Sequence, residues 1–487
     1  MMAAGKDRKE LFYSFYVLLL LLLAYLLNQL DRYTLAIVTK HMAQDIHYGD
    51  QGCISTVNKT VEDNAHVNCT DVKQQYCDNT TVTYKNETLH SCKWDYTGNG
   101  LQYQLLAGPV FIVFYTFSGI FLGYAADRTN RKNLLAGCII LWSATTVVTG
   151  FSKEYWHLVI LRLILGAAEA GCTPFAASII TDYFAEDMRG FAIGIYNWGI
   201  YMGYSMSYAV GNFITDALGW QWAFYIAGMP GILLGIIIFL TLKEPERKKN
   251  KSEVQEHGLI QQTTSEKLVS MWKPFLKPAL IMICIAGSIR NGAGYVWGYN
   301  TQLFFNTYYP DINTGNWFSW IPLVGGSLGV AFGGFISDRF VKRRGPSARV
   351  LILIASLLIA APFAIGTLYL KPPLAFISQI PCYIFGEMWV GVTLAVVVEL
   401  VPSSNRASAV AVYLFIISNI GGNMPLLVPP LKDATNFRFA LLLLYPGCYV
   451  AGALLFLASL PLVMREVKKA TTGEKTPLLS SEDLTEE

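Results

Sequence analysis

The feature that most restricts this chain is a series of apolar runs, each about as long as a bilayer is thick. A hydrocarbon core of ~30 Å takes roughly 20 apolar residues in a helix. Runs of that kind begin near Leu11, Leu101, Asn133, Tyr155, Gly190, Trp220, Phe275, Trp317, Arg349, Pro373, Ala407 and Phe439, twelve in all. They are continuous rather than alternately apolar and polar, which excludes a transmembrane β-barrel. Of the 487 residues, 53% are hydrophobic and only 15% charged, with mean hydropathy +0.38. A soluble domain carries about 25% charge, so this is an integral membrane protein whose first partner is the lipid bilayer. Collagen-like, disordered and nucleic-acid-binding chains are excluded by the same figures. The net charge of +3 gives no reason to expect a polyanionic partner. The first run, Leu11 to Val38, is too long for the apolar core of a cleaved signal and contains Asn28, Asp31 and Arg32, so it reads as a span.

Loop charge sets orientation. Arg128, Arg131 and Lys132 follow the second run, Arg247, Lys248, Lys249 and Lys251 the sixth, and Arg339, Lys342, Arg343 and Arg344 the eighth. All fall on one side, the expected cytosolic side, and twelve spans then put both termini there. The long loop 43–100 falls on the other side. It holds four Asn-x-Ser/Thr sequons, at Asn58, Asn68, Asn79 and Asn86, and four cysteines, Cys53, Cys69, Cys77 and Cys92. This reads as a glycosylated luminal or extracellular loop with two disulfides, in any of three pairings. The other five cysteines, scattered through the spans without metal-ligand spacing, read as packing residues, and no metal site is expected.

The sequence also repeats. Gly123-x-x-x-Asp127-Arg128-x-x-Arg131-Lys132 after the second run is matched by Gly334-x-x-x-Asp338-Arg339 after the eighth, the aspartates 211 positions apart. Glu169 in the fourth run and Glu387 in the tenth are 218 apart; Arg189 and Arg406, opening the fifth and eleventh, are 217 apart. Three matches at nearly one offset imply two six-helix halves, 1–243 and 273–465, joined by a polar cytosolic linker over 244–272 and followed by a cytosolic tail, 466–487.

Two parallel six-span halves with this duplicated loop resemble the major facilitator superfamily. The resemblance implies an all-α membrane fold of twelve helices in two pseudo-symmetric halves. It also implies a gating role for Gly123, Asp127, Arg128, Arg131, Lys132, Asp338 and Arg339, by an ion lock made in one conformation and broken in the other. Three segments narrow the resemblance: Asn28-Gln-Leu-Asp31-Arg32-Tyr33-Thr34; Arg162-Leu-Ile-Leu-Gly166-Ala-Ala-Glu169-Ala170; and, in the second half, Gly333-Gly334-Phe-Ile-Ser-Asp338-Arg339 with Glu399-Leu-Val-Pro402 and Arg406-Ala-Ser-Ala409-Val-Ala-Val-Tyr413. Together they look like the spinster family. The first two are shared with sialin-type organic-anion transporters and bacterial sugar-acid symporters. The long first loop departs from the spinster pattern and resembles the sialin group. Membership of the spinster family implies transport of lysolipids or sphingoid phosphates, usually with proton coupling.

Charges inside spans are costly, so each is a functional candidate. Asp31 and Arg32 lie in the first span, Arg162 and Glu169 in the fourth, Arg290 in the seventh and Glu387 in the tenth. Burial favours the neutral form of a carboxylate and a nearby arginine the ionised form. A carboxylate whose pairing changes between conformations therefore couples proton uptake to the conformational cycle. Asp31 and Glu169 are the expected proton sites. Arg162, on the same helix face as Glu169, is its expected counter-charge, and Arg32 or Arg290 the expected anion anchor. Aromatic and small residues at Tyr196–Tyr204 and at Trp297, Tyr299 and Asn300 are candidate lining for an amphiphile, or helix packing. Glu399 and Arg406 read as gate or interface residues.

No Walker loop, His-Glu-x-x-His or nucleophile elbow is present in the sequence. An enzyme is not expected, no cofactor is implied, and an ion gradient supplies the work. In the tail, Glu474 with Leu478 and Leu479 is similar to an acidic dileucine signal read by sorting adaptors, implying a lysosomal or late endosomal membrane, with the plasma membrane the other destination. Three functions compete: a proton-coupled transporter of a lysolipid-like amphiphile, one of a small organic anion such as a sugar acid, and a non-transporting sensor or scaffold. The intact motif in both halves weighs against the third. The transporter is expected to work as a monomer.

Overall fold

The computed structural model describes residues 8–56, 69, 73–84, 87–245, 273–401 and 406–473. Eleven helical stretches among them are long and apolar enough to cross a membrane. The twelfth expected span is the helix Glu186–Ala209, long enough but diluted by polar and small residues. Its composition follows from what it touches. Side chains added at Gly199 or Gly203 would run into the backbone of Leu26 in the first span, so the two helices approach at backbone distance and apolar bulk is excluded from the seam.

The spans, numbered in chain order, begin with Arg8–Ile46. Span two, Pro109–Arg128, is preceded by a short helix, Leu101–Ala107, and span three is Arg131–Thr149. Span four is broken into Tyr155–Glu169 and Cys172–Tyr183. Span five continues from Glu186–Ala209 through a π-helical turn, Val210–Ile214, and span six is Trp220–Thr241. Spans seven to nine are Pro278–Tyr308, Ile321–Arg344 and Ala348–Tyr369. Span ten is broken into Leu374–Gly386 and Trp389–Glu399. Span eleven, Arg406–Asn423, leads into a helix Val428–Ala434, and span twelve runs through Phe437–Leu444 and Pro446–Gly473. The breaks in spans four and ten fall at Glu169 and Glu387, the repeated acids. Interrupting a helix inside the bilayer frees backbone groups that must find partners, and such interruptions are where transporters hold charge.

Two compact units emerge. One comprises Met1–Asn250, Gly294–Val324 and Gly422–Leu444; the other comprises Lys251–Ala293, Gly325–Gly421 and Tyr445–Glu487. Compactness thus groups the chain differently from the repeat: the first unit takes in the ends of spans seven, eight, eleven and twelve nearest the long loop.

That loop folds as a small module. Strand Gln51–Ser55 pairs antiparallel with Cys92–Tyr96, with Cys53 opposite Trp94. Strand Thr81–Tyr84 pairs with Glu87–His90. Two-stranded ribbons are marginal in water, and here disulfides Cys53–Cys77 and Cys69–Cys92 secure them. Each closes a loop of 24 or 23 residues, worth about 3 kcal/mol. The sulfurs of Cys53, Cys69 and Cys92 lie within 4.8 Å of one another, but disulfide sulfurs are not thiolate ligands. Asn79 is exposed, as an acceptor site requires; Asn58, Asn68 and Asn86 lie outside the described residues.

Candidate functional site

Arg32 sits in the middle of span one and is buried. Its Nη2 and Nε both donate to Oε2 of Glu169, at 2.9 and 3.1 Å, with the side chains 7% and 0% exposed. The guanidinium lies 4.7 Å from the ring centroids of Phe111 and Tyr115 in span two. The pairing expected within span four does not form. Glu169 takes Arg32 as its counter-charge, and Arg162 instead donates from Nη2 to the main-chain carbonyl of Arg32 at 3.0 Å. Seven residues are about 10 Å apart along a helix axis, farther than one arginine conveniently spans, and Arg32 of span one meets both residues, Glu169 with its guanidinium and Arg162 with its carbonyl.

Asp31, one residue earlier, turns about 100° away from Arg32. It is 1% exposed, and no hydrogen bond among the described residues reaches either carboxylate oxygen. Thr146 of span three lies beside it, with its hydroxyl donating to the Trp142 carbonyl at 3.0 Å. Oε1 of Glu169 likewise accepts nothing among the described residues. Two arginines and two carboxylates therefore share one buried region of the first unit, and only one tight ion pair is made.

In the second unit, Arg290 of span seven donates from Nη2 to Oε1 of Glu387 at 2.8 Å and to the Gly386 carbonyl at 2.5 Å. Its guanidinium stands 4.8 Å from the Trp389 ring and 5.0 Å from the Tyr449 ring. The break in span ten supplies that carbonyl.

The aromatic candidates divide. Tyr33 lies between Tyr204 and Tyr299, at centroid distances of 4.6 and 5.4 Å. Trp297 packs among Phe304 and Phe305. Asn300 accepts a hydrogen bond from Gln104 Nε2 at 2.7 Å, and the Tyr299 carbonyl accepts one from the Tyr103 hydroxyl at 2.6 Å. Gln104 gave no signal in the sequence, being one polar residue at a helix start.

The duplicated loop motif makes two ion clusters. Arg131 donates to Asp182 Oδ2 at 2.6 Å, Glu244 Oε1 at 2.9 Å and Ser178 Oγ at 2.7 Å, while the Lys132 main-chain N–H donates to Glu244 Oε2. Arg349 donates to Asp338 Oδ1 at 2.9 Å, Glu399 Oε1 at 2.8 Å and Ser337 Oγ at 2.7 Å. Arg131 and Arg349 are 218 positions apart, the offset of Glu169 and Glu387. That offset was the signal that would have found Arg349. Gly123, Asp127 and Arg128 end span two, the side chains of Asp127 and Arg128 lying outside the described residues; Arg339 is exposed. Arg406 opens span eleven, exposed. Glu474, Leu478 and Leu479 lie outside the described residues.

The sequence model of the Major Facilitator Superfamily matches residues 21–425. Protein spinster of Drosophila melanogaster is 27% identical over 342 residues, 68% of this chain and 55% of the fly protein. The sphingosine-1-phosphate transporter SPNS2 of Danio rerio is 27% identical over 389 residues, 73% of this chain and 76% of the fish protein. Protein spinster homolog 1 of Bos taurus is 27% identical over 67% of this chain and 65% of its own length. The chain thus spans little more than half of the fly relative and just under two thirds of the bovine one. Among solved structures, a bacterial homologue of the human lysosomal transporter Spinster, inward-facing and unoccupied, aligns with TM-score 0.67 over 96% of this chain and 99% of its own at 22% identity. A D-xylose–proton symporter aligns with TM-score 0.63 over 92% and 98% at 15% identity. At these identities both likenesses speak to the fold.

Proposed function

Because this chain belongs to the Major Facilitator Superfamily, we propose that it is a secondary active transporter working by alternating access and moving a lysophospholipid or sphingoid-type amphiphile together with protons. The observation that carries this reading is the Arg32–Glu169 pair: a buried guanidinium with one carboxylate partner and two aromatic rings against it. An anionic headgroup competes with Glu169 for Arg32, while rings such as Phe111, Tyr115 and Tyr33 accept apolar surface. When the headgroup takes the guanidinium, Glu169 is left buried without its counter-charge and binds a proton. Substrate and proton then favour each other, which is the requirement for symport. Asp31, buried beside Thr146, is the second proton site, and Arg162 holds the span-one backbone on which both depend. The likeness to a fish protein named as a sphingosine-1-phosphate transporter supports the substrate class.

In this reading the two sequence halves, 1–243 and 273–465, are the moving bodies and the two ion clusters on the linker side are their gate elements. The disulfide-bonded loop faces the lumen, both termini face the cytosol, and the tail signal at Glu474, Leu478 and Leu479 directs a monomer through a sorting adaptor to lysosomal or late endosomal membranes. The test is purified protein in liposomes with an imposed pH gradient, following labelled lysophosphatidylcholine beside a Glu169→Gln control. Gradient-dependent movement abolished in the variant is expected. Movement of a small sugar acid but not of lysolipid in the same vesicles would overturn the substrate assignment.

A further inference from the structure

The root of the disulfide-bonded module is built with unusual closeness. Asp50 and Asn99 face each other where the chain leaves and re-enters the bundle: the Asp50 N–H donates to the Asn99 carbonyl at 2.8 Å, and the Thr97 N–H to the Asp50 carbonyl at 2.9 Å. Gly49, Gly98 and Gly100 there have φ of +87°, +77° and +109°, a region that L side chains rarely adopt. Each is also sterically required. A Cβ at Gly100 would overlap the Asp50 carboxylate, and one at Gly98 would sit 2.8 Å from the Lys40 backbone. The root backbone therefore lies close against the Asp50 carboxylate at Gly100.

That carboxylate accepts from Lys432 Nζ at 2.6 Å. Lys432 lies in the last turn of Val428–Ala434, just beyond span eleven. The chain then continues from the root directly into Leu101–Ala107, whose Tyr103 and Gln104 bond to Tyr299 and Asn300 of span seven. At the end of that helix Gly108 meets the Gly422 carbonyl, where a Cβ would stand 3.0 Å away. Three successive points, Asp50, Tyr103–Gln104 and Gly108, thus tie the segment that carries the module to spans seven and eleven. The inner two are buried; the outermost, Asp50–Lys432, is partly exposed.

We propose that Asp50 and Lys432 are positioning residues for alternating access: a latch at the rim of the luminal seal, with the close backbone at the root of the module holding Asp50 in place. The pair is the member of the seal that water reaches first, so its loss releases the rim and shifts the equilibrium toward opening on the luminal side. The inference rests on the alternating-access reading above, but its readout needs no cargo.

The experiment places a reporter at Ser205, which is 2% exposed and accepts a hydrogen bond from the Leu323 N–H at 3.1 Å. In proteoliposomes, Ser205→Cys is labelled from the luminal face with a membrane-impermeant methanethiosulfonate, against the same protein without the reporter. Lys432→Gln and Asp50→Asn are each expected to speed labelling about twofold to fivefold, the range of a part-exposed ion pair. Asp50→Lys should speed it more, and the swap Asp50→Lys with Lys432→Asp should return it toward the parent rate. Unchanged labelling in both neutral variants, or a swap as fast as the single reversal, would overturn the latch. Because both neutral variants leave the glycines and disulfides intact, a folding failure of the reversals does not remove the test. Lysolipid that does not move while labelling responds would count against the substrate reading and leave the latch standing.

Discussion

The first span of each half carries one buried arginine and the fourth span of each half one acid at a helix break, yet the two pairs are held differently. Arg290 is clamped on every side: Glu387, the Gly386 carbonyl, and the rings of Trp389 and Tyr449. Arg32 has rings on one side and one oxygen of Glu169 as its acceptor. Around it stand a second arginine and a second carboxylate, and oxygens of both acids accept nothing among the described residues. The C-terminal pair resembles a structural joint, in which the helix break itself supplies an acceptor. The N-terminal pair has further charges of both signs beside it and is the one that the proposed cycle rearranges. Symmetry of sequence has been kept while the surroundings have specialised.

The largest expected effect separates the pairs directly. Glu169→Gln leaves Arg32 and Arg162 buried together with only Asp31 to balance them, and stranding a buried charge costs about 3–5 kcal/mol. Gradient-driven flux should fall by about 100-fold or more. Glu387→Gln leaves Arg290 its carbonyl and both rings, so flux should fall by less than about 10-fold for a loss of about 1–2 kcal/mol. Liposome flux and thermal inactivation of both variants check this, and equal losses would sink the distinction between a working pair and a joint.

A smaller effect comes from keeping charge and changing shape. Lysine cannot reach Glu387 and Gly386 while filling the slot between two rings, so Arg290→Lys should cost about 2 kcal/mol in stability. Arg32→Lys retains a charge–charge contact with Glu169 and should cost about half that, with its larger defect in apparent substrate affinity. Asp31→Asn removes a buried carboxylate that makes no ion pair among the described residues. Thermal stability should change by less than about 1 kcal/mol, while exchange of substrate without a gradient persists and concentration against a pH gradient is lost.

Much of this arrangement was legible in the chain. Span length and hydropathy located all twelve runs, and the offset put Glu169 and Glu387 at equivalent positions, but nothing in the sequence showed that spans four and ten break there. Glu186–Ala209 is the least apolar of the twelve, because Gly199 and Gly203 face the backbone of span one rather than lipid. Partner choice was not legible. Arg162 and Glu169 share a helix face, and nothing in one helix tells that Arg32 of span one bonds to both. The disulfide pairing was open too: four cysteines allow three pairings, and only the folded loop brings Cys53 to Cys77 and Cys69 to Cys92.

The smallest effect tests the comparison at the linker side, where the two clusters are again nearly alike. Asp182 is 16% exposed beside an arginine that is 5% exposed, whereas Asp338 is 68% exposed beside Arg349. Asp182→Asn should therefore cost about 1–2 kcal/mol, because Arg131 loses a charged acceptor in a shielded place. Asp338→Asn should cost less than about 0.5 kcal/mol, since water replaces what is lost. A gate residue is distinguished by the mismatch between its stability and its transport effects. If Asp338 belongs only to the cluster seen here, its neutralisation lowers flux in proportion to that small cost. If flux falls about 10-fold with thermal inactivation unchanged, Asp338 has a second partner in another conformation, and the exposed member of the C-terminal cluster, rather than its shielded counterpart, carries the switching.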